Sequence, residues 1–308
     1  MIEFQHVFYT YDAAPQKRKR RKSSSDAASE AADWGNKPDA FWALQDVSFT
    51  LQDGEFLGLA GHTGSGKSTL IQHMNGLLHP TRGQVLVNGT NIADNKSASI
   101  ARSNVGLVFQ YPEHQLFAAT VYEDVAFGPR NKGLGADEVD ARVHEALAEV
   151  GLDFDRVSEA SPFELSGGQQ RRVAFAGVLA MHPSTLILDE PVAGLDPESR
   201  ESFLELIEHL RATDGLTVVM VSHNMDDLAR FSDRILALNT GRVFELDTPA
   251  EVFRDAEALK SIGLGVPQPQ HLANTLRAAG INVPEPSEVY TIDTLADVLA
   301  RAYRERQA

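Results

Sequence analysis

Residues 56–78 read FLGLAGHTGSGKSTLIQHMNGLL. FLGLAG is a short apolar run expected as a buried strand. TLIQHMNGLL repeats apolar residues at helical spacing and should stop near Gly76 and Pro80. Strand, glycine loop and helix in that order form a βα unit of a parallel sheet. The loop between them, GHTGSGKS at 61–68, satisfies G-x-x-x-x-G-K-[ST] in the strand-to-helix context that gives this pattern its meaning. Glycines let the backbone wrap so that its N–H groups and the helix N-terminus face phosphate oxygens. Gly61, His62, Thr63, Gly64, Ser65, Gly66, Lys67, Ser68 and Thr69 are therefore candidate nucleotide-binding residues. Lys67 should reach the β- and γ-phosphates, and the Ser68 hydroxyl should bind Mg²⁺. His62, at a variable loop position, reads as solvated.

Working outward, strands and helices alternate on the C-terminal side: VGLVF (105–109), TLILDE (185–190), PESRESFLELIEHL, LTVVMVSH, NMDDLARF, DRILAL and RVFEL. In QVLVNGTNI the Asn88-Gly89 pair between alternating residues signals a hairpin, hence antiparallel β. Between the strand at 105–109 and Ala180 the chain is largely helical, with Val139, Val143, Leu147 and Val150 on one helical face. Upstream, MIEFQHVFYTY and ALQDVSFTLQDG alternate as strands. The segment 12–41 between them carries a basic run at 17–22 and then SSSDAASEAADWGNKPDA, which has no apolar period and reads as a flexible insert. Past Gly265, VPQPQ reads as a linker to two short amphipathic helices near 270–279 and 293–304. The expectation is an α/β phosphate-loop nucleotidase over 1–265, with an antiparallel β subdomain, a helical subdomain inserted at about 111–180, and a small helical appendage at 266–308, a candidate dimerisation element.

Two further motifs bear on chemistry. Asp189 and Glu190 end the apolar strand TLILDE, at the carboxyl edge where open α/β sheets bind ligands. Asp189 suits Mg²⁺, and Glu190 suits a general base that polarises the attacking water. LSGGQ at 165–169 opens a helix with a hydroxyl and two glycines, a second anion site. One nucleotide cannot sit in two such cradles of one chain, so a second subunit should bring the other.

Composition bounds the rest. The 308 residues are 43% apolar and 23% charged, with no Cys and a formal net charge of −15. A core of ordinary size is affordable, thiolate chemistry and Cys-ligated zinc are excluded, and the sign opposes nucleic-acid binding. No run approaches the roughly 20 apolar residues of a membrane span, and the N-terminus lacks a standard signal-peptide pattern.

Taken together, the motifs resemble the ATP-binding cassette family over roughly residues 1–255, in the family's order: an aromatic near the start (Tyr11), the phosphate loop, a glutamine after a strand (Gln110), LSGGQ, LILDE, AGLD (193–196) and a histidine after a strand (His223). The resemblance implies that Tyr11 stacks on adenine, that Gln110 touches Mg²⁺ or the water and senses the transport partner, that Asp196 couples two sites, and that His223 contacts the γ-phosphate. It also implies that Ser166, Gly167, Gly168 and Gln169 address the nucleotide of the opposite subunit. FQYPEHQLFAATVYEDVAFGPRNKGL and SPFELSGGQQRRVAFAGVLAMHPSTLILDEPVAGLDP look like the ATPase subunits of energy-coupling factor transporters, importers of vitamins and metal ions. The run 114–131 is similar to the second of the group's two ATPase types. Val192 stands where Thr is common.

That likeness implies an ATPase using ATP and Mg²⁺ at the cytoplasmic face of the cell membrane. Its partners would be a second cassette subunit (a paralogue is favoured, a second copy stays open), a transmembrane scaffold and a substrate-binding membrane subunit. The surface around Gln110, with Leu116, Phe117 and Val121, should receive the scaffold, with burial in the core as the competing account for Phe117; the basic run at 17–22 reads first as a solvated charge cluster and second as a contact for anionic lipid. A chromosome-organising or repair cassette would need a long coiled coil between Gln110 and Ser166, and no heptad is sustained there. A ribosome-acting factor would need two cassettes. A degenerate scaffolding cassette would typically lack Glu190 or Ser166.

Overall fold

The computed structural model describes residues 1–12, 41–281, 283 and 289–307. The basic run at 17–22 and most of the insert lie outside them. Strands β1 (Ile2–Tyr9), β2 (Leu44–Leu51), β4 (Arg82–Val87) and β5 (Thr90–Asn91) form an antiparallel sheet in the order β2-β1-β4-β5. Asn88 and Gly89, at φ 49° and 74°, make the β4–β5 turn, with positive φ at both central residues as a two-residue hairpin of this type requires.

The remaining strands form a second sheet, six-stranded. Its members are β3 (Phe56–Gly61), β6 (Val105–Val108), β7 (Thr185–Asp189), β8 (Thr217–Val221), β9 (Arg234–Asn239) and β10 (Arg242–Asp247). They run in the order β10-β9-β3-β8-β7-β6, and all neighbouring pairs are parallel except β9–β10. Alternate residues face different cores. Ile187, Val219, Val221, Leu236 and Leu238 pack towards the antiparallel sheet and the helix Lys67–Met74, with its Leu70, Ile71 and Met74. Leu186, Leu188, Val218, Met220 and Ile235 pack towards the helix Pro197–Asp214 and the helical block. Strands apolar throughout are thus explained by burial on both faces.

The helical block contains Val121–Asn131, Ala136–Glu149 and Gly167–Leu179, which pack on one another; Val139, Val143, Leu147 and Val150 are all buried there. Two boundaries differ from expectation. β6 stops at Val108 and leaves Phe109 41% exposed. The expected linker VPQPQ is instead the start of the helix Gln268–Ala278, whose first turn tolerates Pro269 because the N–H lost there has no helical partner. Gln270 is fully buried and donates from Nε2 to the Phe253 carbonyl at 2.5 Å. Ala273, Val283, Val289 and Leu295 form a small separate core between that helix and Ile292–Gln307. Among the described residues no helix is long and apolar enough to cross a membrane.

Glu149 closes the helix Ala136–Glu149 towards the core. Burial first, then the charges of Glu145 and Asp214, push its carboxyl up to about 7 from an ordinary 4.5. His182, which bonds Glu145 through Nε2 at 3.0 Å, lines the same recess. Between those two pH values the folded chain holds the proton and the unfolded chain does not, so stability falls as pH rises from 4.5 through 7. Glu149→Gln is expected to raise the thermal midpoint at pH 8 and to match the wild type near pH 4.5; an equal shift at both would contradict this.

Candidate functional site

The phosphate loop is held from behind. Gly61 ends β3, and Gly66 caps the next helix at φ 108°, where a Cβ would meet the Ala43 carbonyl oxygen at 2.6 Å. Only glycine fits, for both reasons. Ser65 is buried and its carbonyl accepts from the Gly241 N–H at 2.9 Å, which fastens the loop to the β9–β10 hairpin. His62 turns to Asn239, with Nε2 3.3 Å from Oδ1, and is not among the residues that line the cavity beside Thr63 and Gly64. Lys67 opens the helix Lys67–Met74 and donates from Nζ to the carbonyls of Gly61 at 2.5 Å and His62 at 3.2 Å. No side chain caps that helix, so its first N–H groups remain for a ligand.

In the sheet order β3, β8, β7 and β6 are adjacent. Their carboxyl ends therefore set four loops side by side. β3 delivers Lys67 and Ser68, β8 delivers His223, β7 delivers Asp189 and Glu190, and β6 delivers Gln110. All line one cavity of about 510 Å³, with Thr63, Gly64, Gly66 and Thr69 on its floor and Tyr11 at its rim. Tyr11 is 59% exposed, and its hydroxyl lies 3.1 Å from Thr69 Oγ1. Tyr9 meets its ring edge-on at 4.9 Å, fixing the orientation of an exposed aromatic plate.

Glu190 lies just beyond β7 at φ 51°, a region that costs a residue with a side chain about 1–3 kcal/mol. Its N–H donates to the Val221 carbonyl at 3.1 Å, and its Oε1, buried and without a hydrogen bond, lies 3.4 Å from His223 Nε2. Burial pushes the Lys67 ammonium down and the Asp189 and Glu190 carboxyls up, with the opposite charges in the cluster working against each shift. A carboxylate of raised basicity with a free oxygen is a fitting proton acceptor. The donor set also fits the groups expected here. A hydroxyl (Ser68), a carboxylate (Asp189) and a side-chain amide (Gln110) are hard oxygen ligands suited to Mg²⁺ shared with phosphate oxygens.

The LSGGQ segment lies elsewhere. Ser166 caps its own helix reciprocally with Gln169, and its Oγ accepts from the Gln169 N–H at 3.4 Å. Gly167 and Gly168 face open space. None of the four lines the cavity, nor does Asp196, exposed and capping the helix Pro197–Asp214 through the Ser199 N–H at 3.0 Å.

On the helical block, Leu116 and Val121 are buried, whereas Phe117 is 59% exposed and meets Phe127 edge-on at 4.9 Å. The expected apolar surface is thus carried by Phe117, not by its neighbours. Sequence reasoning missed two residues. Phe41 joins Tyr11 at the cavity rim because the Ala43 N–H bonds the Tyr9 carbonyl at 2.8 Å. The other is Arg171, which reads in sequence as one more helical cation.

A family model described as ABC transporter matches residues 44–193. The energy-coupling factor transporter ATP-binding protein EcfA2 of Symbiobacterium thermophilum is 58% identical over 257 residues, 83% of this chain and 88% of the relative. Its namesake in Caldanaerobacter subterraneus is 51% identical over 268 residues, 87% of this chain and 93% of the relative. Among solved structures, cbiO1 of Clostridium perfringens, described as part of the ABC transporter complex cbiONQ, is similar at a TM-score of 0.69 and 31% identity, over 91% of this chain and 98% of that one. The ATP-binding cassette MJ0796, described as a dimer in a post-hydrolysis state bound to ADP and Pi, is similar at a TM-score of 0.65 and 28% identity, over 80% of this chain and 98% of that one.

Proposed function

The chain belongs to the ABC transporter family, and from that premise we infer that it is the ATP-binding and hydrolysing subunit of an energy-coupling factor importer for vitamins or transition-metal ions. The observation that carries the catalytic part is the convergence of Lys67, Ser68, Gln110, Asp189, Glu190 and His223 on one cavity beneath Tyr11. Tyr11 stacks on adenine, the phosphate loop and the helix N-terminus hold the phosphates, and Lys67 exchanges its two carbonyl partners for phosphate oxygens. Ser68, Asp189 and Gln110 would hold Mg²⁺, which when bound neutralises charge on those oxygens. Glu190 takes the proton of the attacking water, and His223 fixes that carboxylate and reaches the γ-phosphate.

Two cassettes take part in this reading, which the absence of Ser166 and its glycines from the lining of their own cavity supports. The partner is a paralogous ATPase or a second copy, with the likeness to the second ATPase type favouring the paralogue. A transmembrane scaffold and a substrate-binding membrane subunit complete the assembly at the cytoplasmic face of the membrane. Phe117 and Phe127, exposed beside the segment that follows Gln110, form the apolar docking point for the scaffold.

Phe117→Glu is expected to weaken co-purification of the tagged chain with its native membrane partners at least about 10-fold and to stop ATP-coupled uptake, while the isolated chain binds ATP normally. Unchanged assembly and uptake would remove this docking site.

A further inference from the structure

Arg171 belongs to the helix Gly167–Leu179, five residues after Ser166, and is only 5% exposed. Its guanidinium pairs in charge with Glu113, but that contact is not where its hydrogen bonds go. Glu113 is the carboxylate beside it, with Oε2 3.4 Å from Nε but without a hydrogen bond. The directed bonds go to main-chain carbonyls of two loops. Nη1 and Nη2 donate to the Ala193 carbonyl at 3.1 and 3.2 Å, and Nη2 also donates to the Gln110 carbonyl at 3.2 Å. From Ala193 the chain of bonds continues, because its N–H donates to the Glu190 carbonyl at 3.1 Å.

We propose that Arg171 is a positioning residue for hydrolysis: it clamps the Gln110 loop to the 193–196 turn, so that a displacement at Gln110 reaches the backbone of Glu190. An apolar side chain would fill the same space with a smaller desolvation penalty. The guanidinium is planar and offers N–H donors on separate nitrogens, so it holds the carbonyls of the two loops at a fixed spacing that the single nitrogen of a lysine at this position does not reproduce. The place it acts on is sensitive. Glu190 sits at a positive φ, its N–H bonded to the Val221 carbonyl and its own carbonyl to the Ala193 N–H, so freeing Ala193 loosens one of these two restraints and lets the carboxylate leave its aim on the attacking water. Glu113, in the turn Pro112–Gln115 that leads towards Phe117, puts the same guanidinium beside the expected docking segment, so the clamp spans the route from membrane partner to base.

The proposal rests on the hydrolytic reading of Glu190, and its test separates the two. In the assembled complex, Arg171→Lys keeps the charge and loses the fork. It is expected to lower kcat per folded chain about 10-fold or more, with the affinity for ATP within about twofold of wild type and only a modest fall in the thermal midpoint. Arg171→Met is expected to lose about 100-fold, the scale of an ångström-sized misplacement of a reacting group. Stimulation of turnover by the membrane partners should fall in both. Arg171→Lys turning over within about twofold of wild type would overturn the clamp. So would a loss that only follows the folded fraction and takes ATP affinity down equally. If Arg171→Met does not fold, Arg171→Lys decides. Failure of the hydrolytic reading itself would show separately, as a Glu190→Gln complex that still turns over ATP.

Discussion

In the purified complex, a Glu190→Gln subunit binds ATP as tightly as the wild type and loses at least about 100-fold in turnover at its own site. The amide keeps the shape and the polar contacts of the carboxylate but cannot accept the proton of the attacking water. Binding should survive because the proposed phosphate contacts come from the loop at 61–68 and the first turn of the helix Lys67–Met74, on a different strand end. Lys67→Ala is the counterpart. It removes the buried cation facing the phosphates and is expected to abolish tight ATP binding altogether. Equilibrium nucleotide binding and steady-state turnover on both variants separate the two roles. Near-normal hydrolysis by Glu190→Gln would show that another group is the base.

Ser166→Arg should stop hydrolysis about as completely while leaving ATP binding by the isolated chain intact. The reason is placement: Ser166 is exposed and no part of the LSGGQ segment lines the chain's own cavity, which under the proposed function leaves it to address a nucleotide held by another subunit. Loss of the Ser166 cap costs about 1 kcal/mol, too little to unfold a domain whose stability is roughly 5–15 kcal/mol. Mixed with a Lys67→Ala chain, the Ser166→Arg chain tests sharing directly. In a homodimer one composite site carries both defects and the other neither, so activity should reappear. With a paralogous partner the same logic places Ser166→Arg opposite the Lys-to-Ala substitution in the partner's phosphate loop. Weakened ATP binding by isolated Ser166→Arg, or a proven mixed dimer with no recovery, would count against sharing.

Much of this was legible in the sequence because it is local. The phosphate loop is a backbone conformation written by Gly61, Gly64 and Gly66, and the apolar run before it and the helical period after it depend only on neighbours a few positions apart. The parallel strands announced themselves as unbroken apolar runs, since burial on both faces removes the polar alternation. Motif order then identified Gln110, Glu190, Ser166 and His223 without any coordinates. What the sequence could not decide is whatever depends on distant segments meeting. Strand order placed β6, β7, β8 and β3 side by side and so turned four separate motifs into one cavity. Packing buried Leu116 and Val121 and left Phe117 exposed, because single apolar residues in and beside a turn carry no period to say which way they face. It absorbed the supposed linker 266–270 into a docked helix through the buried Gln270. It also gave Arg171 its partners, since the carbonyls of Gln110 and Ala193 that accept from it are main-chain groups and leave no trace in residue type.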